Sequence, residues 1–272
     1  MNPINTIPYE LPADAPWLVT GCSSGMGREI AQLIASKPNQ RLITTARNPS
    51  SLSYLPEGNP SILKLPVDVI SPTSVTKAFE AAPAHFGANF HIDVLVNTAG
   101  YSLEGDTEAI TEEEMHDELE TLFFGTFRAT LNAVRIMRQH KDHRGGSIFN
   151  LSSVAGGWRE SVAREMHPDW NIHFCLVKPG AVKMNFGTTS KKHIKPHEAY
   201  DGFDMPSRVL DAYVEKGLQS SVEVKPAAVA DTLYLVASRN EKIPLRLPLS
   251  VAAVHLTIAK LQGQLKDLES VS

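Results

Sequence analysis

Short apolar runs alternate with stretches of helical periodicity from residue 17 to about 180, the pattern of βαβ units and of a parallel sheet covered on both faces. The runs predict strands over 17–20, 41–45, 62–67, 93–97, 147–151 and 172–178, with helices between them. Two helix starts carry their own chemistry. Ser71 followed by Pro72 reads as an N-cap with proline at the first helical position, and Thr111 with Glu114 reads as a capping box. Beyond Pro179 the pattern loosens into a Lys/His/Gly-rich stretch, 183–204, then helices near 207–218 and 226–238, a short strand over 245–249 and a last helix from Ser250. In that helix Val254, Ile258, Leu261, Leu265 and Leu268 keep i, i+4, i+7 spacing, which predicts one face packed on the body. The expected fold class is α/β, a doubly wound parallel sheet in a single domain over 16–272 behind an N-terminal extension over 1–15.

Composition narrows the partners. The 272 residues allow a sizeable core, and 42% of them are apolar, so an ordinary soluble globule is expected. Lys and Arg number 26 against 30 Asp and Glu, a net charge of −4 that gives no field to hold nucleic acid. No apolar run approaches a membrane span, and the N-terminus lacks the basic start and apolar stretch of a signal peptide. Cys22 and Cys175 lie far apart in sequence and read as free thiols in a reducing compartment, so the cytoplasm is the expected location.

Directly after the first predicted strand stands Thr20-Gly21-Cys22-Ser23-Ser24-Gly25-Met26-Gly27. Glycines at 21, 25 and 27 permit a tight turn and let backbone N–H groups approach a pyrophosphate at a helix N-terminus, where the dipole favours negative charge. A plain structural turn is the alternative. The position between a strand and a helix makes the nucleotide reading credible and the sheet Rossmann-like.

TGCSSGMG resembles the TGxxxGxG signature of the short-chain dehydrogenase/reductase family, and other stretches follow in the expected order: Thr45-Ala46-Arg47, Val67-Asp68-Val69, Asn97-Thr98-Ala99-Gly100, Asn150-Leu151-Ser152-Ser153 and Lys178-Pro179-Gly180-Ala181-Val182. The resemblance implies a cofactor half over about 16–155 and a substrate-side half over about 156–272. It places Thr20, Gly21, Ser23, Ser24, Gly25, Met26, Gly27, Arg47, Asp68, Asn97, Ala99, Gly100, Pro179, Gly180 and Val182 around a nicotinamide cofactor. Asp68 would accept from the adenine amino group, or else caps a helix. Asn97 and Gly100 would line the adenosine ribose side, and Val182 would present backbone to the nicotinamide carboxamide. An arginine after the second strand accommodates a 2′-phosphate, so Arg47 favours NADP(H) over NAD(H), the alternative being a solvent-facing loop arginine.

The family's chemistry is hydride transfer between nicotinamide and a carbonyl or alcohol carbon, with a tyrosine as acid, a lysine four residues later, a serine on the substrate oxygen and a relay asparagine. Ser153 occupies the serine position. No tyrosine in the chain has lysine four positions on, and Leu122 stands where the asparagine is expected. Gly156-Gly157 passes straight into Trp158-Arg159-Glu160-Ser161, as if roughly eighteen residues were lost in one block while the crossover stayed long enough to reach a parallel strand. The expectation is therefore an NADP(H)-dependent oxidoreductase impaired or inactive as written, or else a non-catalytic NADP(H)-binding sensor or partner protein. Tyr101 is a candidate substitute acid. His193 and His197 have metal spacing, but Pro196 argues against a helix there, and His140 and His143 read as complements to a helix dipole. Phe186, Tyr200, Phe203 and Met205 suggest an apolar carbonyl or alcohol substrate, or else serve as core packing. The family suggests a homo-oligomer, here with a shortened interface helix.

Overall fold

The computed structural model describes residues 5–139, 144–152, 160–182, 190–202, 204–206, 208–209, 212 and 224–271. Seven strands form one parallel sheet: β1 (Pro16–Thr20), β2 (Arg41–Ala46), β3 (Ile62–Pro66), β4 (Val94–Asn97), β6 (Gly146–Leu151), β7 (Ile172–Pro179) and β9 (Arg246–Leu249), in the order β3-β2-β1-β4-β6-β7-β9. Side chains alternate through the sheet as the pleat requires. Trp17, Val19, Phe149 and Cys175 enter one core with Ile30 and Leu233, whereas Leu18, Ile148 and Phe174 enter the other with Phe79 and Met137. The near-continuous apolar runs of the sequence are this double burial.

On the first face lie α1 (Gly25–Ser36) and α6 (Pro226–Ser238); on the second lie α2 (Pro72–Phe86) and α4 (Thr126–Gln139). Both predicted helix starts form. Ser71 Oγ accepts from Ser74 N at 3.3 Å ahead of Pro72. In α3 (Glu112–Leu119), Thr111 Oγ1 accepts from Glu114 N at 3.2 Å while Glu114 Oε2 accepts from Thr111 N at 2.9 Å. A π-helical turn, Glu120–Gly125, joins α3 to α4. A short helix α5, Glu160–Glu165, lies on the crossover between β6 and β7, so a parallel return is made despite its brevity.

Three features depart from the sequence reading or were missed by it. A second, two-stranded sheet pairs β5 (Ser102–Glu104) with β8 (Lys191–His193), too short to show an alternating pattern. The last helix, α7 (Val251–Ser270), does not lay its Val254/Ile258/Leu261/Leu265/Leu268 stripe on the body: those residues are 37–66% exposed, and of the whole helix only Ala253 is buried. Period alone gives a stripe; which surface meets it is set by where the helix leaves the sheet. The N-terminal extension, finally, is fastened rather than loose. Asn5 Nδ2 donates to Phe174 O at 2.7 Å and Ile243 O at 2.8 Å, and its Oδ1 accepts from Phe174 N at 3.1 Å. Tyr9 Oη donates to Asp93 O at 3.2 Å.

Most of the predicted helix over 207–218, and His140, His143, Phe186 and Phe203, lie outside the described residues.

Candidate cofactor site

The sheet order reverses between β1 and β4, and the space beyond the carboxyl ends of strands at such a point is where open α/β sheets hold ligands. The β1–α1 turn lines it. Gly21 has φ +73° and Gly25 φ +56°, backbone that side chains disfavour. A Cβ on Gly21 would stand 2.7 Å from Ala99 Cα, and one on Gly27 would strike the Gly21 carbonyl and the Thr98 hydroxyl. These two glycines let the turn lie against the end of β4.

Hydrogen bonds fix that contact. Thr20 Oγ1 accepts from Thr98 N at 3.1 Å and Ala99 N at 3.3 Å, while the Thr98 hydroxyl donates back to Thr20 O. Cys22 N donates to Thr45 O at 2.8 Å, which holds the turn beside the end of β2. Tyr54 Oη donates to Cys22 O at 2.8 Å, and the Arg28 guanidinium lies 4.4 Å from the centroid of that tyrosine's ring. Sequence reasoning missed Thr98 and Tyr54 as supports of the turn. Thr98 was visible within its motif, but Tyr54 is 32 positions from its partner and gave no signal.

Ser24 is the N-cap of α1, yet its side chain makes no capping bond, and no acidic residue occupies the first turn. The first N–H groups of the helix therefore have no capping side chain and no nearby carboxylate in the first turn. Arg47 follows β2 directly, is exposed, and takes part in no ion pair with a described residue. Cys22 is fully buried; desolvation pushes its thiol up to about 11, so it is structural and not a nucleophile.

Other expected residues are committed to the scaffold. Asn97 is buried, and its Nδ2 donates to Asn150 Oδ1 at 2.7 Å and Thr130 Oγ1 at 3.3 Å, tying β4 to β6 and α4. Gly100, by contrast, is exposed at the strand end. Asp68 is half-buried, with Oδ1 accepting from Ile70 N at 3.3 Å and its own N–H donating to Ser74 Oγ at 3.0 Å, which sets the turn into α2. Pro179 ends β7; a Cβ on Gly180 would stand 2.6 Å from Ser250 Oγ, and Val182 is buried in a bridge with Val224. Ser153 lies outside the described residues.

Where the relay asparagine is expected stands an apolar side chain. Leu122, in the π-helical turn, packs over Gly100, its Cδ2 lying 2.7 Å from where a Cβ there would be. Tyr101 Oη is buried without a hydrogen-bond partner among the described residues, and Lys192 Nζ sits 4.8 Å from the ring centroid. Burial raises the Tyr101 hydroxyl above its ordinary value, with Lys192 only partly opposing, which is the wrong direction for a general acid. His193 lies on β8 and His197 Nδ1 accepts from Ala199 N at 3.2 Å as the cap of a short turn, so the two share no helix face. Tyr200 sits in that turn and Met205 a few residues beyond it.

A glycine-cradled turn at the switch point of a doubly wound parallel sheet defines the Rossmann class of nucleotide-binding folds. Residues 17–167, more than half the chain, match the sequence profile of short chain dehydrogenases. The oxidoreductase calM of Penicillium decumbens is 63% identical over 290 aligned positions, covering 100% of this chain and 95% of that protein. Because this chain has 272 residues, that alignment holds at least 18 positions with no counterpart here, the difference between 290 and 272. The crystal structure of a short-chain dehydrogenase from Streptomyces avermitilis is similar at 30% identity and TM-score 0.79, covering 94% of this chain and 96% of that one. A 3-ketoacyl-(acyl-carrier-protein) reductase from Brucella melitensis, solved with NADH, shares the fold at 17% identity and TM-score 0.65, over 87% of this chain and 96% of its own. This chain belongs to the short-chain dehydrogenase family of oxidoreductases.

Proposed function

We propose that the chain binds NADP(H) as a single-domain member of this family in the cytoplasm, and that its oxidoreductase turnover on an apolar carbonyl compound or secondary alcohol is impaired. The observation that carries the binding is the glycine turn. Side chains are excluded at Gly21 and Gly27, and the start of α1 has no capping side chain, so backbone N–H groups are left for a pyrophosphate. Arg47, exposed beside that turn, suits the 2′-phosphate through a charge-assisted pair. When bound, the cofactor supplies or accepts a hydride; the chain's own residues orient it and must manage the proton. For that proton the sequence offers no tyrosine with a lysine four positions on, and the minimum of 18 unmatched positions in the Penicillium alignment is of the size of the block that would carry such a pair. The buried, unpaired thiols of Cys22 and Cys175 support the cytoplasm.

Calorimetry tests the cofactor. NADPH is expected to bind more tightly than NADH, and Arg47→Asp to reverse the order; equal affinities in the unaltered protein would refute the assignment. One observation favours the second reading, a non-catalytic sensor or partner protein: Leu122 places an apolar side chain over Gly100 at a position outside the shortened crossover. For that reading NADPH binding persists while turnover stays absent after the segment is restored.

A further inference from the structure

Helix α7 presents a self-complementary seam. Val251, Val254, Ile258, Leu261, Leu265 and Leu268 follow one another at intervals of 3, 4, 3, 4 and 3 residues, the a and d positions of three successive heptads. None of the six is covered. Their exposures run from 37% at Val254 to 73% at Val251, with Leu261 at 52% and Leu268 at 66%. Among the described residues, the one buried position of the helix is at its start, where Ser250 Oγ accepts from Ala253 N at 3.0 Å and Ala253 lies against Gly180. At about 1.5 Å per residue its remaining length runs for more than 20 Å beside solvent.

We propose that this seam pairs with the same seam of a second copy of the chain, as a two-stranded coiled coil about a two-fold axis. The a positions are Val251, Ile258 and Leu265 and the d positions Val254, Leu261 and Leu268, so two of three a residues are β-branched and two of three d residues are leucine, a balance that favours two strands over three or four. The flanks permit identical helices to meet. The e positions are His255, Gln262 and Glu269 and the g positions Thr257, Gln264 and Val271, so only one residue at e or g carries a formal charge at neutral pH and no like-charge ladder opposes self-pairing. A bilayer fits less well, since Lys260 and Lys266 are balanced by Asp267 and Glu269 and the polar face has no cationic excess for anionic lipid. One helix of this length offers less than the roughly 800 Å² per partner of a standard interface, so the pair is reversible and dissociates on dilution.

The test uses the full chain. Sedimentation velocity over a concentration series should show a monomer–dimer equilibrium, and Ile258→Lys/Leu265→Lys should abolish the dimer with the circular dichroism spectrum and the unfolding midpoint unchanged, because both sites are exposed. Leu261→Cys at d should form an interchain disulfide on mild oxidation, whereas Gly263→Cys at the outward f position should not; the native thiols are buried and silent. A monomer at every concentration, a dimer indifferent to the lysines, or equal cross-linking at 263 would overturn the proposal. So would sedimentation with phosphatidylcholine–phosphatidylserine vesicles that the lysine variant loses, which would assign the seam to a membrane.

Discussion

Individual side chains show how far local chemistry can be read before the fold is known. Asn97 was placed by its motif at the right strand end, but only the neighbouring strand and α4 reveal that its amide is bound to Asn150 and Thr130. His173 gave no signal at all. On β7 it is 2% exposed, with Nε2 on Asn171 Oδ1 at 2.8 Å and Nδ1 without a partner among the described residues, and burial lowers its pKa from 6.5 to about 4. The folded protein therefore holds it neutral while the unfolded chain takes up a proton below pH 6.5. Stability contributed by this difference is complete above 6.5, falls as the pH drops, and is lost by about 4. At about 1.4 kcal/mol per pH unit the loss is on the order of 3 kcal/mol. Urea unfolding at neutral pH and near pH 5 should show a decline that His173→Gln reduces; an unchanged slope in that variant would show that other groups set the acid limit.

At the scale of elements, the N-terminal extension behaves as a strap. Asn5 has φ +51°, and from that left-handed conformation its one side chain serves the backbones of Phe174 and Ile243. Asn5→Gly keeps the backbone available and removes all three bonds. Buried partners left unsatisfied cost about 1–3 kcal/mol, so the denaturant midpoint should fall accordingly with the slope preserved; no change would show that water replaces the amide. A second clasp holds the flap that carries β8. Asp106, at 0% side-chain exposure, accepts from Arg208 at 2.7 Å and from His197 N at 3.0 Å, and the arginine bond chiefly lowers its pKa. A lowered carboxyl pKa contributes stability above the unfolded value of 3.8 and loses it as the pH falls further, so the clasp is intact at neutral pH. Asp106→Asn should quicken proteolytic cleavage within 190–212 at pH 7 while leaving the β1–α1 turn protected; equal cleavage rates would remove the clasp role.

For the molecule as a whole, the sharpest expectation concerns turnover. General acid catalysis typically contributes about a hundred to ten thousandfold; the chain has no tyrosine with a lysine four positions on, Leu122 is apolar, and burial raises the Tyr101 hydroxyl above its ordinary value. NADPH oxidation with a panel of ketones and aldehydes is expected to be barely above background. Inserting a family-like segment with tyrosine and lysine between Gly156 and Gly157 should raise it by a factor in that range. Robust turnover in the unaltered chain, abolished by Tyr101→Phe, would instead place the acid at Tyr101.

The sequence by itself determined the strands of the main sheet, the capped starts of α2 and α3, and the glycine turn. Each of these rests on neighbours within a few residues: a period of two, a serine before a proline, a glycine where φ is positive. Family membership was legible for the same reason, in short motifs at strand ends. Tertiary structure alone decided the rest. Tyr54 supports the turn from 32 positions away, Ser102 of β5 finds Lys191 of β8 with β6 and β7 lying between them in the chain, and Asn5 reaches Phe174 and Ile243 from the far end of the chain. The α7 stripe separates the two levels most plainly. Its period was written in the residues, but whether it faced the body or the solvent depended on the direction in which the chain leaves β9, where Ser250 and Ala253 lie close against Gly180.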